Sequence, residues 1–566
     1  MIFLQKCLTF LIKYGIVLSE HFISLKLLSF THLKGRDHMS SKTATFIILA
    51  IYVAVMVGIG FYTSRKTKSA NDFMLGGRNV GSWLTAFSYG TTYFSAVVFI
   101  GYAGQFGWSY GVSAAWVGIG NAIIGSLIPF FLIGRRTRLM TKHMGAKTMP
   151  EFFEKRFDSS MLKTVTSLIV FIFLIPYTAS VYNGLSRLFG MVFDLGENGG
   201  TIIILLMALL SAIYVILGGY KATAVNDFVQ GIIMLIGIAT VVALTVQKKD
   251  GLAVAIDSLN AISDKSTPAN TLGSLFGPDP LNLLGVVILT SLGTWGLPQM
   301  VQKFYAIKDD AAIKKGAIIS TFFAIVVAGG SYFMGGFVRL YCTTDSAVTD
   351  KALIEVVNGK PVFDTMVPAL IQQALPNMLI GLVVVLVLSA SLSTLSSLVL
   401  TSSSTLTNDL IKPRVKNFDD KKQMLCIRVF IAIFLVISVI IACNKNASIS
   451  TLMSYSWGAL SGAFLGPFLY GLFMKKASIA AVAASFITGL GITVGHMVMF
   501  SLNIPAFDGI KQAVIDLNCP LNLLSPVNAG AFAMIVSLIV VPVVSSLTKA
   551  PDEKVVNEAF DSLNKE

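Results

Sequence analysis

The stretch from Ser389 to Leu410, SASLSTLSSLVLTSSSTLTNDL, combines apolar residues with many hydroxyl side chains. Twelve of its 22 residues are Ser or Thr, and Asp409 is its only charged residue. Hydroxyl and backbone carbonyl oxygens together can bind a small hard cation without placing a formal charge on the protein. The same hydroxyls can instead bond to carbonyls of their own helix or hold neighbouring helices together. The stretch therefore has two interpretations, a cation site or helix packing.

Helical spacing divides these hydroxyls among faces. Ala390, Ser393 and Thr394 stand at positions i, i+3 and i+4, so they share one face of a helix. The same stripe continues through Ser397, Thr401 and Ser404. We expect most of the twelve hydroxyls to serve packing, which leaves Ser393 and Thr394 as the candidate cation ligands.

The composition identifies the environment of such a helix. Hydrophobic residues make up 54% of the 566-residue chain and charged residues only 13%, with a mean hydropathy of +0.75. Apolar runs of about 20 residues, each long enough to span a bilayer, recur along the chain. The pattern is typical of an all-α polytopic membrane protein. The net charge of +14 comes from short basic loops, which argues against nucleic acid as a partner.

We predict thirteen transmembrane spans, and the basic residues orient them. Loops after odd-numbered spans and the C-terminal tail hold 28 Lys and Arg, whereas loops after even-numbered spans hold 9. This asymmetry predicts that the N-terminus is outside and the C-terminus inside. The spans lie near 43–63, 82–109, 114–134, 164–190, 199–217, 224–246, 281–302, 317–341, 376–408, 426–443, 449–473, 478–501 and 526–547.

The chain ends differ from this transmembrane body. Residues 1–38 are basic and weakly amphipathic, and we expect an N-terminal extension outside the transport core, followed by a transmembrane domain at 39–547. Residues 548–566 are predicted to form a short cytoplasmic tail.

Cys342 and Cys519 both fall in loops predicted to be outside, so a disulfide between them is an open alternative.

Two spans contain helix-breaking residues near their middle. Span 2 carries Gly90-Thr91-Thr92-Tyr93, and span 7 carries Gly293-Thr294-Trp295-Gly296-Leu297-Pro298. Exposed backbone is costly in lipid, so such breaks survive where they line a cavity. Because the two spans are five apart, they predict two five-helix repeats, at about 82–246 and 281–473, each opening with a broken helix.

The chemistry available at these breaks limits the driving force. Proton coupling would need a titratable group at mid-depth, and spans 2, 7 and 9 offer no carboxylate there. Neutral oxygens favour Na⁺ as the coupling ion. ATP is not expected because the chain has no P-loop motif.

Four segments resemble the sodium/solute symporter family, including its bacterial pantothenate and proline permeases. They read GSWLTAFSYGTTYFSAVVFIG, AIYVILGGYKATAVNDFVQGIIMLIG, GLPQMVQKFYAIKDDAAIKKG and SLSTLSSLVLTSSSTLTNDL. The resemblance implies a LeuT-type fold of two inverted repeats and Na⁺-driven uptake of a small solute by alternating access.

The resemblance also implies site residues. The family's sodium site falls on the backbone carbonyls of Thr91, Phe94 and Ala390 and on the hydroxyls of Ser393 and Thr394. Asp227 matches an acidic residue at the cytoplasmic start of span 6. The resemblance implies a role in cation entry or in helix anchoring, and the alternative is simply a favourable charge at a helix N-terminus.

Substrate identity is less well indicated. Proline permeases carry Trp and Tyr at the positions of Thr290 and Thr294, and galactose-type symporters carry Gln at the position of Val98. Both departures argue against those solutes and leave a small organic acid, vitamin or amino acid. We expect the substrate cavity to include Tyr93, Ser95, Thr294, Trp295 and Trp457.

Other functions fit the composition less well. A channel and a non-transporting solute sensor are the alternatives to a transporter. No nucleophile–base pair or metal-ligand spacing suggests an enzyme, so we expect none. We expect a multi-pass protein of a bacterial plasma membrane that functions as a monomer, with a small solute and the bilayer as its partners.

Overall fold

The computed structural model describes residues 41–64, 69–193, 199–264, 267–357, 359–444, 448–502, 504–561 and 563. The predicted extension at 1–38 and Cys7 lie outside these residues. The helices before the second break are α1 (Ser41–Ser64), α2 (Ala70–Leu75), α3 (Ser82–Tyr93), α4 (Ala103–Tyr110), α5 (Ala115–Ala122), α6 (Arg135–His143), α7 (Met149–Phe157), α8 (Ser160–Phe193), α9 (Gly199–Gln247), α10 (Leu252–Asn260) and α11 (Pro280–Gly296).

The helices after the second break are α12 (Pro298–Ala306), α13 (Asp310–Ala324), α14 (Gly330–Gly335), α15 (Met366–Ala374), α16 (Asn377–Thr405), α17 (Asp420–Cys443), α18 (Ile449–Phe473), α19 (Ile479–Phe500), α20 (Asp508–Asp516), α21 (Pro526–Leu547) and α22 (Glu553–Asp561). Short π-helical segments join or extend them at Val97–Tyr102, Ile123–Leu127, Phe130–Gly134, Ile325–Gly329 and Leu406–Ile411. Single 3₁₀ turns lie at Gly76–Arg78, Gly111–Ala114, Val338–Leu340, Phe363–Thr365, Lys412–Arg414 and Pro505–Phe507.

Four two-residue strands interrupt the predicted all-α architecture between α14 and α15. They are β1 (Cys342–Thr343), β2 (Ala352–Leu353), β3 (Val356–Val357) and β4 (Lys360–Pro361). β1 pairs with β2 in parallel, and β3 pairs with β4 as an antiparallel turn. They lie in a loop, so the helical membrane body is unaffected.

Side-chain caps explain where several helices begin. A Ser, Thr or Asp oxygen accepts a hydrogen bond from a backbone N–H in the first turn, which otherwise lacks a partner. This pattern is present at Thr148 for α7, Asp309 for α13, Asp419 for α17, Ser448 for α18 and Ser478 for α19.

Both predicted helix breaks are confirmed. α3 ends where Phe94 adopts extended backbone angles of φ −110° and ψ 104°, and helical structure resumes as the π-helical segment at Val97. α11 ends at Leu297, with φ −80° and ψ 121°, and α12 continues at a bend of 46°. Pro298 occupies the first position of α12, where the missing N–H needs no partner.

Gly219 makes a third break, inside α9. Its backbone angles are φ +58° and ψ −163°, a region that essentially only glycine occupies. A Cβ at this position would lie 2.7 Å from the ring of Phe73. The break divides α9 into the predicted span 5 and the predicted span 6.

Within the described residues, nine helices are long and apolar enough to cross a membrane, or ten with the bent pair α11–α12. The prediction of thirteen divides the chain more finely. The first part of α9 is short, Val97–His143 counts as one continuous helix, and the Ser and Gly residues of α18 lower its hydropathy. The number thirteen and the orientation of the termini remain predictions.

The helix that carries the hydroxyl stretch lies at the centre of the bundle. In its most apolar window, 83% of the residues of the α16 span are buried, against 22% for α1 and 28% for α17. α16 packs against α1, α8, α9 and α17. Its hydroxyls therefore face protein on every side, which explains how a lipid-embedded chain tolerates so many of them.

The structure bears on two further predictions, the possible disulfide and the C-terminal tail. Cys342 is buried and Cys519 is exposed, and both are free thiols, so the structure does not join them. The tail forms α22, which packs on α7, and Phe560 lies 5.0 Å from the Arg156 guanidinium. The tail is therefore docked on the bundle.

Candidate functional site

The first helix break faces the middle of α16 through Thr394. The Thr394 hydroxyl lies 3.3 Å from the carbonyl oxygen of Thr91 and 3.1 Å from that of Thr92. It also lies 3.1 Å from the carbonyl oxygen of Ala390, one turn earlier in its own helix. Three carbonyl oxygens and one hydroxyl oxygen therefore converge at the helix break.

Ser393 extends the group towards a charge. Its hydroxyl lies 2.7 Å from the Thr91 hydroxyl and 2.6 Å from Oδ1 of Asp227. The Thr91 hydroxyl itself donates to the carbonyl of Phe87 at 2.8 Å. Four of the five predicted sodium-site residues, Thr91, Ala390, Ser393 and Thr394, are thus brought together.

Phe94 is the fifth predicted residue, and its place is different. Its amide donates to the Gly90 carbonyl at 3.1 Å, and its ring stacks on Tyr93 with centroids 4.2 Å apart. In the described part of the chain, no hydrogen bond joins the Phe94 carbonyl to the other four residues. It lies at the break itself, three residues beyond Thr91.

Asp227 corrects the expectation that only neutral oxygens face the site. The prediction placed it at the cytoplasmic start of a helix, but it is fully buried and lies eight residues beyond the Gly219 break. Its Oδ2 accepts a hydrogen bond of 2.5 Å from the Ser88 hydroxyl, while Ser393 occupies the Oδ1 side. The argument from spans 2, 7 and 9 missed this carboxylate because span 6 supplies it.

Lys303 is a second buried charge that the sequence reasoning missed. Its ammonium donates to the hydroxyls of Ser88 at 2.8 Å and Ser397 at 3.0 Å, and the residue is 2% exposed. The signal was available, because Lys303 is the only charged residue between Pro280 and Ile307. A lone charge in an apolar span is a candidate functional residue.

Aromatic side chains from three helices meet beside the break. The Tyr93 and Trp457 rings are stacked with centroids 6.0 Å apart, and Tyr177 meets Trp457 edge-on at 5.9 Å. The Tyr93 hydroxyl donates to the Thr290 carbonyl at 2.5 Å. Gly293 lets this cluster approach α11, because a Cβ there would lie 2.7 Å from the Trp457 ring.

Two polar atoms of this cluster lack a well-formed hydrogen bond among the described residues. They are the Tyr177 hydroxyl and the Trp457 indole nitrogen. The Tyr177 hydroxyl lies near Ser95 and Trp457 without aligning on either. A buried donor without an acceptor is costly, so both groups suit a ligand that brings an acceptor oxygen.

The other predicted substrate residues are engaged by the protein itself. The Thr294 hydroxyl donates to the Gly125 carbonyl at 3.0 Å, and the Trp295 indole donates to the Ile124 carbonyl at 2.8 Å. The Ser95 hydroxyl accepts from the Val97 amide at 3.2 Å and caps the helical segment after the break. Of the five predicted substrate residues, Tyr93 and Trp457 therefore lie together in the aromatic cluster. Ser95, Thr294 and Trp295 lie at the edge of that cluster.

A set of hydrogen bonds from Arg78, here called the Arg78 latch, joins several segments at the end of the bundle that is predicted to face the cytoplasm. The Arg78 guanidinium donates to the Thr141 hydroxyl at 3.2 Å and to the Tyr305 carbonyl at 3.3 Å. It also bonds to the Ala146 carbonyl. Burial lowers the pKa of Arg78. Because Tyr305 belongs to α12, the latch is joined directly to the helix that carries Lys303.

Asp409, the only charge of the opening stretch, lies near this latch. Both of its carboxylate oxygens approach the Thr148 hydroxyl, at 3.0 Å and 2.8 Å, and the residue is 1% exposed. Thr148 also caps α7. The contact ties the π-helical segment that follows α16 to the residue that caps α7.

Residues 73–489, most of the chain, match the sequence model of the Sodium:solute symporter family. The chain belongs to this family. It is 29% identical over 448 residues to the osmoregulated proline transporter OpuE of Bacillus subtilis, covering 78% of this chain and 86% of that protein. It is 28% identical over 520 residues to sodium/proline symporters of Staphylococcus aureus, covering 90% of this chain and 93% of those proteins.

A solved structure confirms the architecture of the symporter. It is a substrate-bound, outward-open Na⁺-coupled sialic acid symporter, with a TM-score of 0.61 at 17% identity, covering 90% of this chain and 98% of that one. At that identity the likeness shows a shared fold only. The family shows that this multi-pass membrane protein is a transporter and not an enzyme, and that Na⁺ is its coupling ion.

Proposed function

We propose that the symporter couples the inward movement of Na⁺ to the uptake of a small organic solute, an amino acid, organic acid or vitamin, by alternating access. Na⁺ is held by the carbonyls of Thr91, Phe94 and Ala390 and the hydroxyls of Ser393 and Thr394. The observation that carries the proposal is the Thr394 hydroxyl, which lies within 3.3 Å of three carbonyl oxygens at a helix break. A cation can contact all of these oxygens at once, whereas the one hydroxyl proton can point at only one or two of them.

Asp227 adds charge to this neutral set. Its carboxylate accepts a hydrogen bond from Ser393, and its negative charge attracts a cation bound at the neighbouring oxygens. This gives Asp227 a role at the ion site itself rather than in cation access from the cytoplasm.

The solute site lies at Tyr93 and Trp457, with Tyr177 as an added member. The Trp457 indole and the Tyr177 hydroxyl offer donors to an acceptor oxygen such as a carboxylate, and the stacked rings offer an apolar surface. Ser95, Thr294 and Trp295 form the wall that positions them. A carboxylate-bearing solute of amino-acid size suits this combination.

Proline is the first solute to test, because proline transport is named for relatives that this chain covers over most of their length. The departures at Thr290 and Thr294 argue against proline, so the assay decides between the two lines of evidence. Purified symporter in liposomes is assayed for uptake of labelled proline, and then of other amino acids, monocarboxylates, vitamins and sugars. The expected result is accumulation that requires an inward Na⁺ gradient. Accumulation of the same size from a proton gradient in Na⁺-free buffer would refute the proposed coupling.

The energetics set the size of the expected accumulation. A membrane potential of ~100 mV is worth about 2.3 kcal/mol for each charge, and a tenfold Na⁺ gradient is worth about 1.4 kcal/mol. One Na⁺ can therefore drive about 500-fold accumulation of a neutral solute.

We further propose that the symporter has thirteen spans in two inverted repeats, with its N-terminus outside and its C-terminus inside. We propose that it lies in a bacterial plasma membrane and functions as a monomer.

A further inference from the structure

The ammonium group of Lys303 is surrounded by hydroxyl oxygen atoms. Its ammonium lies 2.8 Å from the Ser88 hydroxyl and 3.0 Å from the Ser397 hydroxyl. The Thr92 hydroxyl lies 2.8 Å from that of Ser397 and extends the same group of oxygens. The Tyr220 ring covers the ammonium, with its centroid 5.2 Å from Nζ. These are the surroundings of a bound cation, with the cation supplied by a side chain.

A single hydroxyl connects Lys303 to the proposed ion site. Ser88 lies 2.5 Å from Oδ2 of Asp227 and 2.8 Å from Nζ of Lys303. The other carboxylate oxygen of Asp227 faces Ser393. Asp227 thus lies between two cation positions, one lined by Ser393 and Thr394 and the other filled by Lys303.

The charges of this cluster balance only with Lys303 in place. Asp227 is the only charged residue between Ala222 and Gln247, and Lys303 is the only one between Pro280 and Ile307. Both are buried. A buried carboxylate needs a cation close by, and an ammonium and a Na⁺ carry the same charge. The two differ in that Lys has three donors and a covalent tether, so it cannot be transported.

We propose that Lys303 is a tethered cation that holds the place of a second Na⁺, so that the wild-type symporter binds one Na⁺ in each cycle. Removing the ammonium opens a second Na⁺ position between Asp227, Ser88 and Ser397. This proposal rests on the proposed function, because it assumes that Na⁺ binds beside Ser393 and Thr394. A purely structural Lys303, acting as packing and hydrogen-bond donor, predicts no new Na⁺ site.

The test compares Lys303→Gln with wild type and with Lys303→Arg, which keeps the charge. Na⁺-dependent thermal stabilisation of the purified protein, without solute, is measured from 1 mM to 500 mM Na⁺ at constant ionic strength with choline. Solute uptake in liposomes gives the Hill coefficient for Na⁺, and ²²Na⁺ flux gives the number of Na⁺ carried per solute. We expect a Hill coefficient near 1 for wild type and Lys303→Arg and near 2 for Lys303→Gln, with twice the Na⁺ flux per solute.

Two outcomes overturn the proposal. One is a folded Lys303→Gln whose Hill coefficient and Na⁺ flux per solute equal those of wild type. The other is a wild-type symporter that already carries two Na⁺ for each solute. The proposed function fails separately, by a wild type that shows no Na⁺-dependent accumulation of any solute tested.

A pair of charge variants keeps the test decisive if Lys303→Gln does not fold. Asp227→Asn leaves Lys303 without its counter-charge, so we expect low membrane abundance. Asp227→Asn combined with Lys303→Gln is neutral, and we expect it to restore abundance by at least fivefold over Asp227→Asn while showing no second Na⁺. A double variant no more abundant than Asp227→Asn would refute the charge exchange.

Discussion

The Ser393 hydroxyl lies 2.6 Å from Oδ1 of Asp227, in the centre of the bundle. The two residues come from α16 and from the second part of α9, and 166 positions separate them in sequence. The contact joins the neutral oxygens of the first helix break to a full negative charge. A substitution at either Ser393 or Asp227 should therefore change the affinity of the proposed site for Na⁺.

Thr394→Ala tests the ion site most directly. The variant loses the hydroxyl that meets the carbonyls of Thr91, Thr92 and Ala390. Losing one polar contact costs about 1–3 kcal/mol, so the Na⁺ concentration for half-maximal uptake should rise about 5- to 150-fold. Ser393→Ala should produce a rise of at least that size, because it also removes a donor to Asp227.

Ser396→Ala and Ser402→Ala are the matched controls on the same helix. The Ser396 hydroxyl donates to the Ser393 carbonyl within α16, and Ser402 lies six residues further along the same helix. Neither should change the Na⁺ dependence of uptake. Equal, small losses of abundance across all four variants, without a shift in Na⁺ dependence, would assign the hydroxyl run to helix packing.

Trp457→Phe tests the solute site, because it removes the indole N–H and keeps an aromatic ring. If that N–H binds a charged acceptor on the solute, its loss costs about 1.5–3 kcal/mol. The KM for solute should rise about 10- to 150-fold, with little change in the Na⁺ dependence. Uptake kinetics at saturating Na⁺ provide the measurement.

Trp295→Phe is the comparison for Trp457→Phe. The Trp295 indole already donates to the Ile124 carbonyl at 2.8 Å, so its loss should lower stability by about 0.5–1.5 kcal/mol and leave the KM for solute nearly unchanged. The opposite pattern, with a KM effect at Trp295 and none at Trp457, would move the solute site towards Ile124.

Helix breaks and shared faces could be predicted from sequence, whereas partners across the bundle could not. Glycine and proline chemistry is local, so Gly293 to Pro298 indicated the bend that α11 and α12 show. The spacing of Ala390, Ser393 and Thr394 likewise indicated one helix face. The contact between Ser393 and Asp227 depends on how α9 packs on α16, which no spacing within one helix encodes. Lys303 differs, because its lone charge in an apolar run was a local signal, and only its partners Ser88 and Ser397 depend on packing.

Gly219→Ala should destabilise the protein by more than a typical surface change. Its angles of φ +58° and ψ −163° cost a non-glycine residue about 1–3 kcal/mol, and the new Cβ would meet Phe73 at 2.7 Å. Gly190→Ala is the control, because a Cβ there meets no atom within 4 Å and alanine favours a helix. Melting temperatures in detergent should fall for the first variant and stay level or rise for the second.

Asp364 should give the stability a dependence on pH. Burial raises the pKa of its carboxyl group, although the Ile449 amide and Arg187 oppose that effect. Because the folded pKa lies above the unfolded value, the folded state binds more protons, and stability increases as pH falls through that range. Asp364→Asn should therefore raise the melting temperature at pH 7, and its advantage should shrink towards pH 4. Asp508→Asn, at an exposed site, should show no such trend.

Cys519 tests the predicted orientation of the helices. It is an exposed free thiol between α19 and α21, in a loop predicted to be outside. A membrane-impermeant maleimide added to intact cells should label it, and Cys519→Ser should lose most of that labelling. Labelling of Cys519 only after the membrane is opened would reverse the proposed orientation.

The Arg78 latch places an energetic cost on separating the segments that it joins. Opening that end of the bundle requires separating Arg78 from Thr141, Ala146 and Tyr305. Hydrogen bonds to a charged group contribute about 1.5–3 kcal/mol each, so breaking them without replacement would slow that opening. Tyr305 and Lys303 both belong to α12, so a movement of this nine-residue helix would disturb the Arg78 contacts and the Lys303 contacts together. If this end is the inner one, as the predicted orientation has it, such a cost would limit uncoupled leak through the empty transporter.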